Sequence, residues 1–264
     1  MAITRTIWKN PFTIDNVPQW TCPSCKSGTL IGDKKTIKIV ESVGSKATRG
    51  HDEWDQGWVS GAFGGEIKCN NPKCAETVLI IGKMDVQADQ EYDEQYGGWT
   101  SAYYEYLFPK AFMPALHIFF VHQDIPDSIK KAIAESFKVY WIDTSSCGNK
   151  IRTVVELIMD EYKISKIYTD KGKRREYSLH KRIELFKAIK PQEAEQLMAI
   201  KWIGNSGSHQ NDDLPKDDIL DAYEILEHVT VKLYEKDSHR IKKLSKAINK
   251  RRKPIGSRRT IKKK

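Results

Sequence analysis

The sequence contains no long hydrophobic run. Residues 1–20 lack an apolar core of signal-peptide length, and no later stretch approaches the roughly 18 consecutive apolar residues that a membrane-spanning helix needs. The apolar fraction of 39% is nevertheless sufficient for one or two globular cores. We therefore expect a soluble cytoplasmic protein with no membrane partner.

Acidic residues are absent from residues 240–264. Of the 44 Lys and Arg residues, thirteen lie in this segment, and none of the 35 Asp and Glu residues does, so residues 1–239 carry a net charge of −4. Such a segment is predicted to be a partly disordered arm that binds nucleic-acid phosphates through counterion release. The cations assigned to this role are Lys250, Arg251, Arg252, Lys253, Arg258 and Arg259. The alternatives are a solvated tail or attraction to a ribosome-like or membrane surface.

Cysteine is scarce, and its spacing is informative. Four of the five cysteines form two close pairs, Cys22-Pro-Ser-Cys25 and Cys69-Asn-Asn-Pro-Lys-Cys74. An odd total in a reduced compartment argues against a disulfide framework, whereas two thiolate pairs complete the tetrahedral shell of one Zn²⁺. We predict a closed, structural zinc site that resembles a zinc ribbon with an insertion. The alternative is four unrelated buried cysteines.

The fifth cysteine, Cys147, stands alone before a predicted helix. Its thiol is either activated by the helix N-terminus or is simply that of a small buried residue.

The chain is predicted to be an α+β protein with three parts. Residues 1–123 form a β-rich zinc-binding region, with strands at 36–40, 77–81 and 115–121 and long loops at 44–65 and 85–98. Trp54, Trp58 and Trp99 are predicted to cover a small β core; stacking on nucleic-acid bases is the alternative. Residues 124–236 form an all-α bundle, and residues 237–264 form the basic tail.

Helical periodicity and cap residues predict five helices in the second part. The first runs from Pro126 to about Tyr140 and the second begins near Asn149. A charged loop at 166–176 precedes a third helix capped by Ser178. The fourth begins at Pro191 and ends near Gly204, and the fifth begins at Pro215.

One polar motif occurs at the end of the fourth predicted helix. Lys201, Asn205 and His209 follow at four-residue steps and would share a face if the helix continued past Gly204. A cation, an amide and an imidazole together suit phosphate binding or phosphodiester chemistry. Alternatively, Gly204, Asn205 and Gly207 form a helix cap and His209 hydrogen-bonds the next loop.

A second polar set lies on the second predicted helix, where Asn149, Arg152 and Glu156 are spaced by three and four residues. These residues either line the same groove as the Lys201 motif or form an ordinary intrahelical ion pair.

Residues from about 125 to 234, with Gly204, Asn205 and His209 in a Gly-Asn-x-x-x-His element, resemble the bacterial family known as domain of unknown function 4145. That family is related to the HEPN helical domains, many of which are metal-independent ribonucleases in toxin, antiviral and abortive-infection systems. A Cys-x-x-Cys zinc element ahead of the helices is a familiar arrangement there.

The resemblance implies a HEPN-like bundle, a homodimer formed through the helical domain, and RNA in preference to DNA as the partner. It also implies that His209 transfers a proton, Lys201 stabilises negative charge and Asn205 orients the phosphate. The family motif usually has arginine ahead of Gly-Asn, whereas Lys201 keeps the charge without the bidentate fork. We expect a nucleic-acid-directed bacterial defence protein and metal-independent ribonuclease; the alternative is a non-catalytic nucleic-acid-binding adaptor with a structural zinc.

Overall fold

An antiparallel sheet followed by α-helices makes up the fold, which is therefore mixed α and β. The computed structural model describes residues 3–94, 97–206 and 214–251. The described strands are β1 Leu30–Ile31, β2 Ile37–Glu41, β3 Ser60–Cys69, β4 Thr77–Asp93, β5 Gly98–Met113, β6 Ile167–Asp170 and β7 Lys173–Glu176. The described helices are α1 Thr6–Lys9, α2 Val43–Thr48, α3 Asp127–Val139, α4 Thr144–Glu161, α5 Leu179–Phe186, α6 Pro191–Ser206, α7 Lys216–Tyr234 and α8 Lys236–Arg251.

The large sheet is built around β3, β4 and β5, which pair in sequence order. Both β1 and β2 pair with the other edge of β3. Alternate residues point to opposite faces of a strand, so every second side chain of β3 and β4 enters the core. The buried members include Phe63, Ile67, Val78, Ile80 and Met84.

The long β4–β5 hairpin corrects the prediction of a loop at 85–98. Both strands continue far beyond the core: Val86 is the last buried residue of β4, and residues 87–92 are exposed on both faces. Exposure on both faces removes the alternation by which a strand is recognised in a sequence. The predicted loop at 44–65 is also only partly right, because it contains most of α2 and the first residues of β3.

The predicted strand at 115–121 is absent from the structure. This segment is apolar because Leu116, Ile118 and Phe119 pack into the core, where Phe119 contacts the rings of Phe137 and Tyr223. Burial against helices and burial in a sheet produce the same short apolar run.

All five predicted helices are present. The second begins at Thr144 and not near Asn149, because the Asp143 carboxylate accepts a hydrogen bond from the Ser146 amide and caps the helix there. The predicted charged loop at 166–176 is a two-stranded hairpin, in which Lys171 and Gly172 adopt positive φ at the turn. The first part of the predicted basic tail is helical, from Lys236 to Arg251.

The N-terminal segment joins the sheet to the helices through one continuous core. Trp8 contacts the rings of Tyr140 and Trp141, and the Tyr140 hydroxyl donates a hydrogen bond to the Trp8 carbonyl oxygen over 3.2 Å. Trp20 is fully buried and contacts Trp141 from the sheet side. In the described parts of the chain, no helix is both long and apolar enough to span a bilayer.

The tryptophans that were predicted to cover the β core do not all do so. Trp58 and Trp99 are 44% and 70% exposed, so the prediction is wrong for these two. Trp54 is half-buried and lies against the Arg49 guanidinium.

Candidate functional sites: a cysteine cluster and a cationic helix crossing

The four paired cysteines meet at one point between the start of β1 and the β3–β4 turn. Their sulfur atoms all lie within 4.8 Å of one another. The Cys22 and Cys74 sulfurs are 3.8 Å apart, and those of Cys25 and Cys69 are 3.7 Å apart. Four converging thiols at these separations are close enough to bind a metal ion.

Each cysteine pair lies on a tight turn of the backbone. The residue after the second cysteine adopts a left-handed conformation in both pairs, with φ of 58° at Lys26 and 49° at Ala75. The Gly28 amide donates a hydrogen bond to the Cys25 sulfur over 3.2 Å, and the Asn71 amide donates to the Cys69 sulfur over 3.4 Å. Such amide donors favour the thiolate form of a cysteine.

Gly28 is required by close approach to the cluster. A Cβ atom at this position would lie 2.4 Å from the Cys69 sulfur, which is far inside van der Waals contact. Any side chain at residue 28 would therefore displace one of the four sulfurs.

The cysteines of the cluster differ in how readily their thiols lose a proton. Burial raises the pKa of Cys69 to about 12, whereas hydrogen bonds from the Ser27 hydroxyl and the Ser27 and Gly28 amides lower the pKa of Cys25 to about 5. Four thiolates this close together would repel one another, so a bound metal ion would supply the charge that holds all four deprotonated.

Cys147 takes no part in this cluster. Its buried sulfur lies 3.0 Å from the Tyr223 hydroxyl, which donates a hydrogen bond to the Ser136 hydroxyl. Burial raises the pKa of Cys147 to about 12. Of the two interpretations considered from the sequence, the small buried residue is confirmed.

The second candidate site lies where α4 crosses α6. The two backbones approach closely at Gly148 and Gly204: a Cβ atom on Gly204 would lie 3.1 Å from the Gly148 carbonyl oxygen and 3.4 Å from the Arg152 Cβ atom. Glycine at both positions allows this approach. The crossing brings side chains of α4 and α6 beside one another.

Arg152 of α4 and Asn205 of α6 are joined across this crossing. The Arg152 Nη1 atom donates a hydrogen bond to the Asn205 Oδ1 atom over 3.3 Å. Because α6 continues to Ser206, Lys201 and Asn205 are one helical turn apart on the same face. Arg152, Lys201 and Asn205 therefore form one group, which we call the cationic crossing.

The charges of the cationic crossing are incompletely balanced. Glu156 lies 3.7 Å from the Arg152 Nε atom, within ion-pair range but too far for a hydrogen bond, and that buried nitrogen has no hydrogen-bond partner in the described part of the chain. Lys201 is only 8% exposed, and its ammonium group lies 3.3 Å from the centre of the Trp202 ring. Among the described residues, no carboxylate lies within ion-pair distance of Lys201.

Two neighbouring cations without a full set of counter-charges favour an anion. Burial and the nearby Arg152 charge lower the pKa of Lys201, because both disfavour its protonated form. A phosphate oxygen in the crossing would relieve this effect and would occupy the free Arg152 donor.

The remaining predicted site residues are placed as follows. His209 lies outside the described residues, as do Arg252, Lys253, Arg258 and Arg259. Lys250 is exposed on α8, and Arg251 is the last residue of that helix. Gly204 and Asn205 lie inside α6, so they do not form the C-terminal cap considered from the sequence.

Arg152 was noted in the sequence as part of a polar set, but its contact with Asn205 was not predicted. It forms the intrahelical pair with Glu156 and also contacts Asn205, so both interpretations of the Asn149–Glu156 set hold in part. The sequence signal was the pair of glycines, Gly148 and Gly204, each four residues or fewer from a polar side chain of the site.

Two family models match the chain. Residues 134–251, which include the cationic crossing, match a family described as Domain of unknown function (DUF4145), so this part of the predicted resemblance is confirmed. Residues 10–112, which include the four clustered cysteines, match a second family described as Domain of unknown function (DUF8608). No curated protein and no solved structure matches the chain.

Proposed function

We propose that this chain is an RNA-directed protein whose cationic crossing binds a phosphodiester group and, together with His209, cleaves the RNA without a metal ion. The observation that carries the proposal is the contact between Arg152 and Asn205 beside the under-compensated Lys201. Arg152 supplies, from another helix, the guanidinium fork that Lys201 lacks.

Each residue of the crossing has a distinct part in this chemistry. Arg152 grips phosphate oxygens, Asn205 orients the phosphate, and Lys201 stabilises the negative charge that develops at phosphorus. His209 follows Asn205 by four residues in the sequence and has a side chain that exchanges protons near neutral pH. In the proposal it accepts the proton of the attacking 2′-hydroxyl or donates one to the leaving oxygen.

We assign nucleic-acid binding to the helical part and the tail, and not to the β4–β5 hairpin. Residues 84–109 contain six acidic residues and no Lys or Arg, so this hairpin repels phosphate. The cationic residues of 240–264 add affinity that is independent of sequence and sensitive to salt.

The metal in the cysteine cluster is proposed to be zinc, with a structural role. Four sulfurs placed about 2.3 Å from one ion in a tetrahedron are about 3.8 Å apart, in agreement with the two sulfur separations of 3.8 and 3.7 Å. The four thiolates complete the coordination shell and leave no open position for a substrate. The paired turns before β1 and between β3 and β4 support a zinc-ribbon-like arrangement.

The HEPN-like fold, the homodimer through the helical domain and the role in bacterial defence belong to the same proposal. They rest on the sequence resemblance, and the match of residues 134–251 supports them at the level of the family alone.

A non-catalytic adaptor is the second candidate, and one observation favours it. Lys201 is almost fully buried against Trp202, so a substrate reaches its ammonium group only if that group moves. In this case the crossing binds phosphate, and the chemistry at His209 is absent.

Labelled RNA and DNA incubated with the purified protein in EDTA test the proposal. Cleavage of RNA that His209→Ala abolishes, with affinity retained, supports the ribonuclease; binding without cleavage supports the adaptor. Arg152→Lys should weaken binding less than Arg152→Gln, because lysine keeps the charge but not the fork. A wild-type protein that binds neither nucleic acid overturns both candidates.

A further inference from the structure

One aromatic side chain on the surface borders the cationic crossing. Trp202 follows Lys201 directly in α6 and precedes Asn205 by three residues, so its side chain is a neighbour of both. The Lys201 ammonium group lies over the Trp202 ring, and 54% of Trp202 is nevertheless exposed. The indole therefore contacts a buried cation of the crossing and is also accessible from solvent.

Trp202 lines a groove between α5 and α6. The groove has a volume of about 650 Å³, within the range of about 300 to 1,000 Å³ that is usual for sites of small organic molecules. Met198 and Trp202 are four residues apart and lie on the same face of α6. The other apolar side chains of the groove are Ile183, Ala194 and Ala199. The groove is therefore large enough, and apolar enough, to hold a flat aromatic ring against the indole.

The charged residues of the groove balance one another. They are two lysines and two glutamates, Lys181, Lys187, Glu184 and Glu195. Lys181 and Glu184 form an ion pair over 2.9 Å. A groove without net charge gives a phosphate no electrostatic advantage, whereas the cationic crossing beside it does. The two neighbouring surfaces thus differ in the way that the base and the phosphate of one nucleotide differ: the first is uncharged and flat, and the second is anionic.

We propose that Trp202 stacks on an unpaired base of an RNA strand whose phosphate is bound in the cationic crossing. This inference rests on the proposed function, because the crossing supplies the phosphate site. A base and its phosphate are joined through a single ribose, so they must be bound at neighbouring points, and Trp202 adjoins both Lys201 and Asn205. Bases are accessible for stacking in single strands and not inside a duplex, so the site selects single-stranded RNA.

Three substitutions separate stacking from apolar cover. Trp202→Leu keeps an apolar side chain but removes the aromatic ring, and Trp202→Phe keeps a ring. Trp58→Leu is the matched control, because Trp58 is 44% exposed but lies in the sheet region. Each of the two tryptophans also lies beside a histidine ring: the ring centres are 5.8 Å apart for Trp202 and His180, and 5.5 Å apart for Trp58 and His51.

Equilibrium binding to two RNA probes tests the stacking. The first probe is a short 2′-O-methyl oligoadenylate, which cannot be cleaved through its 2′-hydroxyl groups, and the second has the same backbone with every base removed. Trp202→Leu should bind the oligoadenylate about 5- to 100-fold more weakly than the wild type does, because it loses the stacking of a base on an aromatic ring. It should bind the abasic probe as tightly as the wild type does. Trp202→Phe should keep most of the affinity for the oligoadenylate, and Trp58→Leu should keep all of it.

Equal losses of affinity for the two probes would overturn the proposal, because they would show that Trp202 only positions Lys201 or supports the fold. An unchanged affinity of Trp202→Leu for the oligoadenylate would also overturn it. In that case, weaker binding by Arg152→Gln would retain the phosphate site, so the failure of the stacking site is distinguishable from a failure of the proposed function. A wild-type protein that binds neither probe would refute both.

Two further measurements test other occupants of the groove. Sedimentation without RNA should give the same oligomeric state for the wild type and for Trp202→Leu; a wild-type dimer that the substitution converts to a monomer would show that the groove binds a second copy of this chain and would overturn the proposal. Duplex RNA should bind the wild type and Trp202→Leu equally, because its bases are paired inside the helix. A loss as large as that for the single strand would contradict the assignment.

Discussion

The cysteine cluster and the cationic crossing are assembled in different ways. Each cysteine pair is brought together by a turn of at most six residues, so only the meeting of two turns requires the fold. In the crossing, Arg152 and Asn205 are 53 residues apart and meet because two glycines let α4 and α6 approach. A site built from local turns can be read from a sequence, whereas the contacts of one built from a helix crossing are decided only in the fold.

Among the substitutions considered, loss of one cysteine ligand should have the largest effect on metal content and stability. Cys69→Ser should abolish the proposed zinc binding and destabilise the sheet, because the binding free energy of a four-thiolate zinc site is on the order of 10 kcal/mol or more. Metal analysis and thermal unfolding measure both effects. Cys147→Ser is the control for zinc content, since it leaves the four ligands intact. Full zinc content in Cys69→Ser would contradict the assignment.

Gly28→Ala should weaken the metal site while all four cysteines are retained. The added Cβ would lie 2.4 Å from the Cys69 sulfur, so we expect a loss of roughly 10- to 100-fold in zinc affinity, comparable to other substitutions beside metal ligands. Competition with a chelator measures the affinity. Gly50→Ala is a matched control, because nothing lies within 4 Å of its Cβ position; equal affinities in the two variants would show that the turn adapts.

Gly204→Ala tests the close approach of the helices. We expect a loss of about 1 to 3 kcal/mol in the free energy of unfolding, because the new methyl group meets the Gly148 carbonyl oxygen of a packed helix. Gly44→Ala in α2 is the helical control, since only the Ser42 hydroxyl lies as near as 4.0 Å. Helix propensity should make that variant up to about 1 kcal/mol more stable. Stabilisation in both variants would show that α4 and α6 can separate at no cost.

The two sites should respond to pH in opposite directions. Metal binding requires thiolates, so zinc should be lost as the pH falls. Lys201 has a lowered pKa, so its charge, and with it RNA affinity, should be lost as the pH rises through that pKa, below the range of an ordinary lysine. Lys201→Arg should keep its affinity there. The stability of the free protein should change with pH in the opposite direction to RNA affinity. Because the pKa of Lys201 is lower in the folded state, its protonation destabilises the fold at pH values below that folded pKa. An identical pH profile in Lys201→Arg would show that the titration of Lys201 does not govern RNA affinity.

How much could be predicted from the sequence differs between the regions for physical reasons. The strands at 36–40 and 77–81 and the helices begun by Ser178 and Pro191 were recognisable from local patterns, and the structure contains them. The far half of the β4–β5 hairpin was not, because strands exposed on both faces have no alternation. The apolar run at 115–121 was ambiguous between sheet and helix neighbours.

The composition of the crossing was the least predictable feature. Lys201 and Asn205 could be placed on one face from their spacing, but only if α6 passed Gly204 without ending there. Arg152 had an adequate local partner in Glu156, so its spacing left open whether it faced the Lys201 groove or only paired within its own helix. Tertiary packing decided both points.

The affinity of the Arg152→Gln variant for a short labelled RNA tests the central claim most directly. Arg49→Gln is the matched control. Like Arg152, Arg49 forms an ion pair with a glutamate, Glu41, but it lies in the sheet region. We expect Arg152→Gln to bind RNA about 5- to 100-fold more weakly, which corresponds to about 1 to 3 kcal/mol, with unchanged thermal stability and zinc content. Arg49→Gln should bind as the wild type does. Equal affinities of Arg152→Gln and the wild type would contradict the assignment of the cationic crossing as the phosphate site.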